Sequence, residues 1–261
     1  MRFHSLPSFA LLTCLAVLPL PAQNDDAARN GEKKPSLKEL IAITTIEPGR
    51  YKIGEVEINA KTREVIFPAI VNMREGLIEF PVTHSNGRIH EAIFTTEVLP
   101  VQIQTALLLS NYEISPEAFP LPLEEEVPLG EPLPPMKYPP TNPASHVHVS
   151  FSWTDKEGKQ HTTRLETTLA IGDLEAPGTL VEYADQSTHW IFTGSTEEMG
   201  PEVFDMGGAM VGTRLDQECI LNPEPDQVIL ENVWLVKPET IPKIGTPVKI
   251  HFEPATTSTK K

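Results

Sequence analysis

Beyond its opening segment the chain holds a single thiol. Of its two cysteines, Cys14 lies in the apolar start and Cys219 stands alone. One thiol excludes an intramolecular disulfide, a cysteine zinc site and a cysteine-ligated iron–sulfur cluster. The setting of Cys219, before Ile220 and Leu221, reads as a buried, inert thiol. Positive charge is also scarce: 21 Lys and Arg face 36 Asp and Glu, for a net charge of −15. A chain this acidic is repelled by nucleic-acid phosphates and anionic lipid, and no basic run offsets that, so nucleic acid is not an expected partner. No apolar run reaches the roughly 20 residues of a membrane span.

Catalytic motifs are missing too. Ser195 follows Gly194 but has no Gly-x-Ser-x-Gly elbow around it. The glycines between 207 and 212 precede no Gly-Lys-Ser/Thr, so they form no phosphate loop. Glu124, Glu125 and Glu126 sit among prolines, where charge means solvation. No catalytic residue is assigned.

What is present begins with "MRFHSLPSFALLTCLAVLPLPA". A basic Arg2, an apolar core from Phe9 to Leu20 and a small-residue end read as a signal peptide cleaved near Ala22. Leu20 is a poor fit at the third position before the cut. "LLTC" is a loose lipobox with Thr13 where a smaller residue is usual, so a lipid anchor at Cys14 is not expected. Removing Arg2 takes the net charge from −15 to −16. The mature protein is expected in the periplasm, cell envelope or extracellular space.

The chain then divides into a disordered leader (23–36), a first half (37–114), a proline-rich connector (115–145), a strand-rich second half (146–254) and a flexible tail (255–261). In the first half, "LKELIAI" suggests a short helix, and "YKIGEVEI" and "REVIFPAIV" suggest strands, with Pro68 at a bulge or edge. "GLIEFPVT" and "RIHEAIF" flank Asn86-Gly87, a strong hairpin signal. "LPVQIQTALLLSN" predicts a buried helix with Pro100 in its first turn. The connector holds ten prolines in 31 residues, too many for a helix or a central strand. "HVHVSFSWT" alternates, with Val147, Val149, Phe151 and Trp153 on one face and His146, His148, Ser150 and Ser152 on the other. "DKEG" turns it into "KQHTTRL". "THWIFTGS", "EVFDMGGAMVGT", "VILENVWLV" and "TPVKIHF" suggest further strands, with a turn at Gly207-Gly208. The fold class is α+β, β-dominated, with antiparallel hairpins and one well-defined buried helix. The pattern leaves open whether the two halves form one sheet or two.

The candidate site is the hairpin. A two-residue turn pairs Ser85 with Arg88, His84 with Ile89, Thr83 with His90 and Val82 with Glu91. His84 and Glu91 then share the apolar face, and His90 lies opposite. A three-residue loop puts His84, Arg88 and His90 together instead. Either way His84 gains a titratable neighbour, which makes His84, His90 and Glu91 candidate metal or acid/base groups. His146 and His148, two apart on one strand face, are weaker metal candidates because they need a third ligand. With a four-residue "DKEG" loop, Ser152 pairs with His161. His161 then lies about 13 Å from His148, too far to share an ion.

The stretch "REVIFPAIVNMREGLIEFPVTHSNGRIHEAIFTTEVLPVQIQTALLLSN" resembles the core of the bacterial YdjY-domain family. The likeness lies in FPA-x-VN, the EGL step, the histidine–turn–histidine–glutamate segment and the leucine-rich helix, with weaker matches at "HVHVSFSW", "WIFTGS" and "IPKIGTPVKIHFEP". It spans roughly residues 45 to 254. The resemblance implies an exported or envelope-associated protein of no established activity. A ferredoxin-like label given to some members finds no cysteines here to support it. The residues favour a non-catalytic exported module that binds a protein or envelope component. The alternative is a metal-binding or acid/base protein centred on His84, His90 and Glu91, with a transition metal as the cofactor in the first case.

Overall fold

The computed structural model describes residues 35–121, 135–172, 180–182, 188–194, 208–224 and 233–255. In chain order the first elements are α1 (Leu37–Leu40), β1 (Ile43–Glu47), β2 (Arg50–Ile53), β3 (Val56–Asn59), β4 (Glu64–Val71), β5 (Val82–His84), β6 (Phe94–Thr96) and α2 (Pro100–Leu109). Then follow β7 (His146–Thr154), β8 (Gln160–Arg164), β9 (Leu169–Gly172), β10 (Leu180–Glu182), β11 (Trp190–Phe192), β12 (Ala209–Val211), β13 (Leu221–Pro223), β14 (Val233–Val236) and β15 (Pro247–Pro254).

Alternation builds the centre. Along β4, Val65, Phe67, Ala69 and Val71 are buried, while Glu64, Ile66, Pro68 and Ile70 face outward. Along β15, Val248, Ile250 and Phe252 turn inward in the same way. Two such strands bury one face each, and the sheet closes to cover it. β4 pairs with β15, and the ring continues through β7, β11, β13, β12, β5 and β6 back to β4. This is a closed eight-strand barrel. Closure satisfies the strand edges that would otherwise stay open to pairing. The β4–β15 and β5–β12 pairs join the first half of the chain to the second in one sheet. Strands β1 to β3 extend the same sheet outward from β4, and β9, β10 and β14 form a separate three-stranded sheet.

Phe67, Phe94, Phe151, Phe192, Phe252 and Trp190 fill the barrel. Phe67 meets Phe252 edge-on with centroids 5.3 Å apart, and Phe94 tilts on Phe151 at 4.7 Å. Each such side chain contributes about 1.5–3 kcal/mol by burial. α2 packs on β3 and β4 through Val101, Ile103, Ala106 and Leu107, while Leu108 and Leu109 stay exposed. Pro100 occupies its first turn as expected. At its far end the Arg63 guanidinium donates to the carbonyls of Ser110 (2.9 Å) and Asn111 (2.6 Å), placing a cation on the helix C-terminus.

Strand content and the main helix follow the expectation from sequence, but several local readings are corrected. "YKIGEVEI" is two strands, β2 and β3, turned at Gly54, whose φ is +53°. Pro68 takes the edge position expected of it, as a local gap inside the sheet and not at its rim. It pairs in register with Lys249, and on its other side β3 stops at Ile66 and β6 starts at Ile70. The missing N–H of Pro68 therefore breaks no three-strand ladder.

The hairpin at Asn86-Gly87 does not form. β5 and β6 run parallel, with Val82 opposite Phe94 and His84 opposite Thr96. Neither Asn86 nor Gly87 has the positive φ that a type I′ turn requires. The turn instead centres on Ser85 and Asn86, closed by the Gly87 N–H on the His84 carbonyl at 2.8 Å. Ile89–Glu91 then forms one 3₁₀ turn, with the Asn72 side chain donating to the carbonyls of Ile89 and Ala92. Both predicted registers are thereby replaced.

The β7–β8 turn holds five residues, not four: Thr154 pairs with Gln160 and Trp153 with His161. Asp155 sets this loop by accepting the N–H groups of Glu157 and Lys159. His161 thus stacks on Trp153 instead of joining the His146 face. The signal peptide, the lipobox at Cys14, most of the leader, connector residues 122–134, Ser195, Gly207 and the tail after Ala255 lie outside the described residues. The connector that is described forms two 3₁₀ turns, Pro116–Ala118 and Pro143–Ser145.

Candidate metal centre

His146 and His148 project outward from β7, because Val147, Val149 and Phe151 take the inward positions. Register supplies them with company. Ile191 of β11 pairs with His146 on one side and with Asn222 of β13 on the other. Side chains two apart share a face, so His189, just before β11, and Glu224, just after β13, lie on the His146 side of the sheet. Among the described residues this is the group of three donors close enough for one ion: the ligand atoms of His146, His189 and Glu224 all lie within 4.8 Å of one another.

The geometry within the group is tight. The two imidazoles stack at 4.1 Å between centroids, tilted by 25°. His189 Nε2 is 2.6 Å from Glu224 Oε2. The Thr141 hydroxyl donates to Glu224 Oε1 at 2.9 Å and lies 3.0 Å from His146 Nε2. Its one proton goes to the carboxylate, so His146 Nε2–H donates to the Thr141 oxygen. Thr141 is held there by the Pro143–Ser145 turn, whose Asn142 N–H donates to Ser115 Oγ.

Protonation suits a cation. Burial, reinforced by the neighbouring His189, lowers the His146 pKa to about 4, so the ring is neutral near pH 7. Burial alone would push the Glu224 carboxyl up, but its contacts with His189 and Thr141 outweigh that and hold it below the usual carboxylate range. Neutral imidazole and ionised carboxylate are the forms that bind metals. Ligands at about 2.0–2.2 Å around a tetrahedral ion stand about 3.3 Å from each other. Binding would therefore open the His189–Glu224 contact and draw in the donors that stand farther apart.

His148 stands beside this group but is engaged elsewhere. Arg164 Nη2 donates to His148 Nδ1 at 2.5 Å and to the Thr188 carbonyl at 2.9 Å, and pairs with Glu166 Oε1. Arginine has no acceptor, so His148 presents a bare Nδ1 and keeps its proton on Nε2. Burial and then the Arg164 charge lower its pKa to about 4. Burial raises the Glu166 pKa against the pull of Arg164.

The first-choice residues from sequence are placed apart. His84 is buried between β6 and β12, and its Nδ1 accepts the Asn86 N–H at 3.1 Å. His90 is exposed, with Nε2 3.2 Å from Glu91 Oε1. The parallel course of β5 and β6 takes His84 away from both, and no third donor joins them among the described residues. His146 keeps its place as a candidate and has two potential donors beside it, His189 and Glu224. His189 and Glu224 carried no local motif, because their proximity exists only in the β7–β11–β13 ladder. Cys219 is fully buried, and desolvation raises its pKa well above that of a free thiol, as expected for an inert side chain.

No helix among the described residues is long and apolar enough to cross a membrane. No protein-family model, curated protein or solved structure matches the chain.

Proposed function

We propose that this chain is an exported β-barrel binding module whose ligand is a divalent transition-metal ion, held by His146, His189 and Glu224. The observation that carries the reading is the convergence of two imidazoles and one carboxylate, from three separate segments, within 4.8 Å. A nitrogen–oxygen donor set of this kind suits zinc, copper or nickel better than calcium or magnesium, which take oxygen ligands. Three protein ligands leave a coordination position for water or for a group on a partner. The reading needs no turnover at the metal. Export is supported by the signal-like residues 1–22, and kinship with the YdjY-domain family by the FPA-x-VN and EGL stretches.

The test is elemental analysis of protein purified without an affinity metal, then calorimetric titration with zinc, copper and nickel. One ion per chain in the wild type, lost in His189→Ala and Glu224→Ala and kept in His90→Ala, supports the reading. No stoichiometric ion after reconstitution overturns it.

A further inference from the structure

A second cluster lies on the same barrel wall. Ser152 of β7, His251 of β15 and Glu64 of β4 face outward from three consecutive strands. His251 pairs with Ser150 on one side and Ile66 on the other, so Ser152 and Glu64 are its diagonal neighbours. Ser152 is six residues along β7 from His146, about 20 Å at the usual strand rise, so this cluster is separate from the metal donors.

The two hydrogen bonds use different ring nitrogens. Ser152 Oγ lies 2.8 Å from His251 Nε2, and Glu64 Oε1 lies 3.0 Å from His251 Nδ1. A carboxylate can only accept, so Nδ1 carries the proton and donates to Glu64. The Nε2 lone pair then faces the serine hydroxyl. This is the nucleophile–base–orienter order that activates a serine. Lys249 is directly opposite Ser152 on the same face. Its ammonium is mostly exposed and only loosely paired with Glu57, at 3.9 Å. The Lys249 side chain therefore extends across β4 toward β3, on the side of β15 away from Ser152. Ser152 is 5% exposed, so an acyl donor that reaches it must be small.

We propose that Ser152 is a nucleophile, with His251 as its general base and Glu64 as the positioning residue, that takes the acyl group from small esters. As Oγ bonds to the carbonyl carbon, its proton passes to His251 Nε2 and the carbonyl π pair moves to oxygen. Collapse of that intermediate expels the alcohol oxygen, which takes the proton from His251. Water, deprotonated by the same ring, then releases the acid and restores the serine. The net reaction is ester plus water to acid plus alcohol. This goes beyond the metal-binding reading and does not depend on it.

The experiment treats chelator-washed full-length protein with a small fluorophosphonate and locates the adduct by peptide mass spectrometry, with p-nitrophenyl acetate hydrolysis measured in parallel. The expected result is an adduct on Ser152, absent in Ser152→Ala, and formed about 100-fold more slowly in His251→Ala. Glu64→Gln should slow labelling, and Glu64→Asp should restore part of it. No adduct on Ser152 in the folded wild type overturns the proposal whatever the variants do. An adduct whose rate is unchanged in folded His251→Gln overturns it as well. Chelation removes the metal beforehand, so a failed metal reading leaves this result unaffected.

Discussion

His189 Nε2 lies 2.6 Å from Glu224 Oε2, across the two strands that carry them to the rim of the barrel. The pair is joined to His146 by ring stacking on one side and by the Thr141 hydroxyl on the other. Thr141 touches the carboxylate through Oε1, so it can orient Glu224 while Oε2 holds an ion. Outer partners of this kind are worth about 10–100-fold in metal affinity. Thr141→Val should weaken zinc binding within that range, and His189→Ala should exceed it. Isothermal titration of the three proteins separates the cases. An unchanged affinity in His189→Ala would remove that residue from the ligand set.

The metal-free protein should lose stability in acid, in a window set by two histidines. His146 and His148 both have pKa values near 4 in the folded chain, against 6.5 for the free side chain. Between about pH 6.5 and about pH 4 the unfolded state therefore binds more protons than the folded state, so stability rises with pH there and falls on acidification. Glu224, whose pKa is lowered, acts in the same sense at the acid end. The slope is at most about 1.4 kcal/mol per pH unit per imidazole, and less here because both rings keep partial solvent contact. Urea unfolding of chelated protein at a series of pH values should show the decline, and His148→Gln should flatten it. A flat profile from pH 7 to pH 4.5 would contradict the burial of these rings.

How far the sequence carries can be seen in single residues. The alternation of "HVHVSFSWT" placed His146 and His148 on the outer face of β7, and Pro100 placed the start of α2, because both signals are local. The Asn86-Gly87 signal is local too, and it misled. A type I′ turn needs an antiparallel partner, and the chain after Gly87 instead turns through Ile89–Glu91 to lay β6 parallel to β5. The shift of His161 by one position followed from Asp155 closing a five-residue loop. His189 and Glu224 were out of reach for a different reason. Their meeting depends on which strand is hydrogen-bonded to which, and nothing in "STHWIF" or "LNPEP" states that.

Arg164 should be the costliest surface-side residue to remove. It pairs with Glu166, which is 1% exposed, and donates to His148 and to the Thr188 carbonyl next to His189. Arg164→Met strands the buried Glu166 carboxyl, a loss of about 3–5 kcal/mol. The double variant Arg164→Met with Glu166→Leu should recover most of it, since the unpaired group is gone. The single variant should also bind zinc more weakly by releasing the backbone at Thr188. Denaturant midpoints for the four members of the cycle give the coupling. Additive losses would show that the two side chains do not act as a pair.

Gly208 tests the packing of His84 in the same way. Its φ is +63°, and a Cβ there would stand 2.9 Å from His84 Cβ and 3.2 Å from the Gly87 backbone. Its carbonyl accepts from both the His84 N–H and the Thr83 hydroxyl, so the backbone cannot swing clear without losing both bonds. Gly208→Ala therefore combines backbone strain with a clash, and should cost about 2–4 kcal/mol. Gly158→Ala is the matched control, because its φ is +81° and no atom lies within 4 Å of the added methyl. It should cost about 1 kcal/mol from strain alone. Thermal melts of the two variants measure the difference, and equal losses would mean that His84 is not wedged against Gly208.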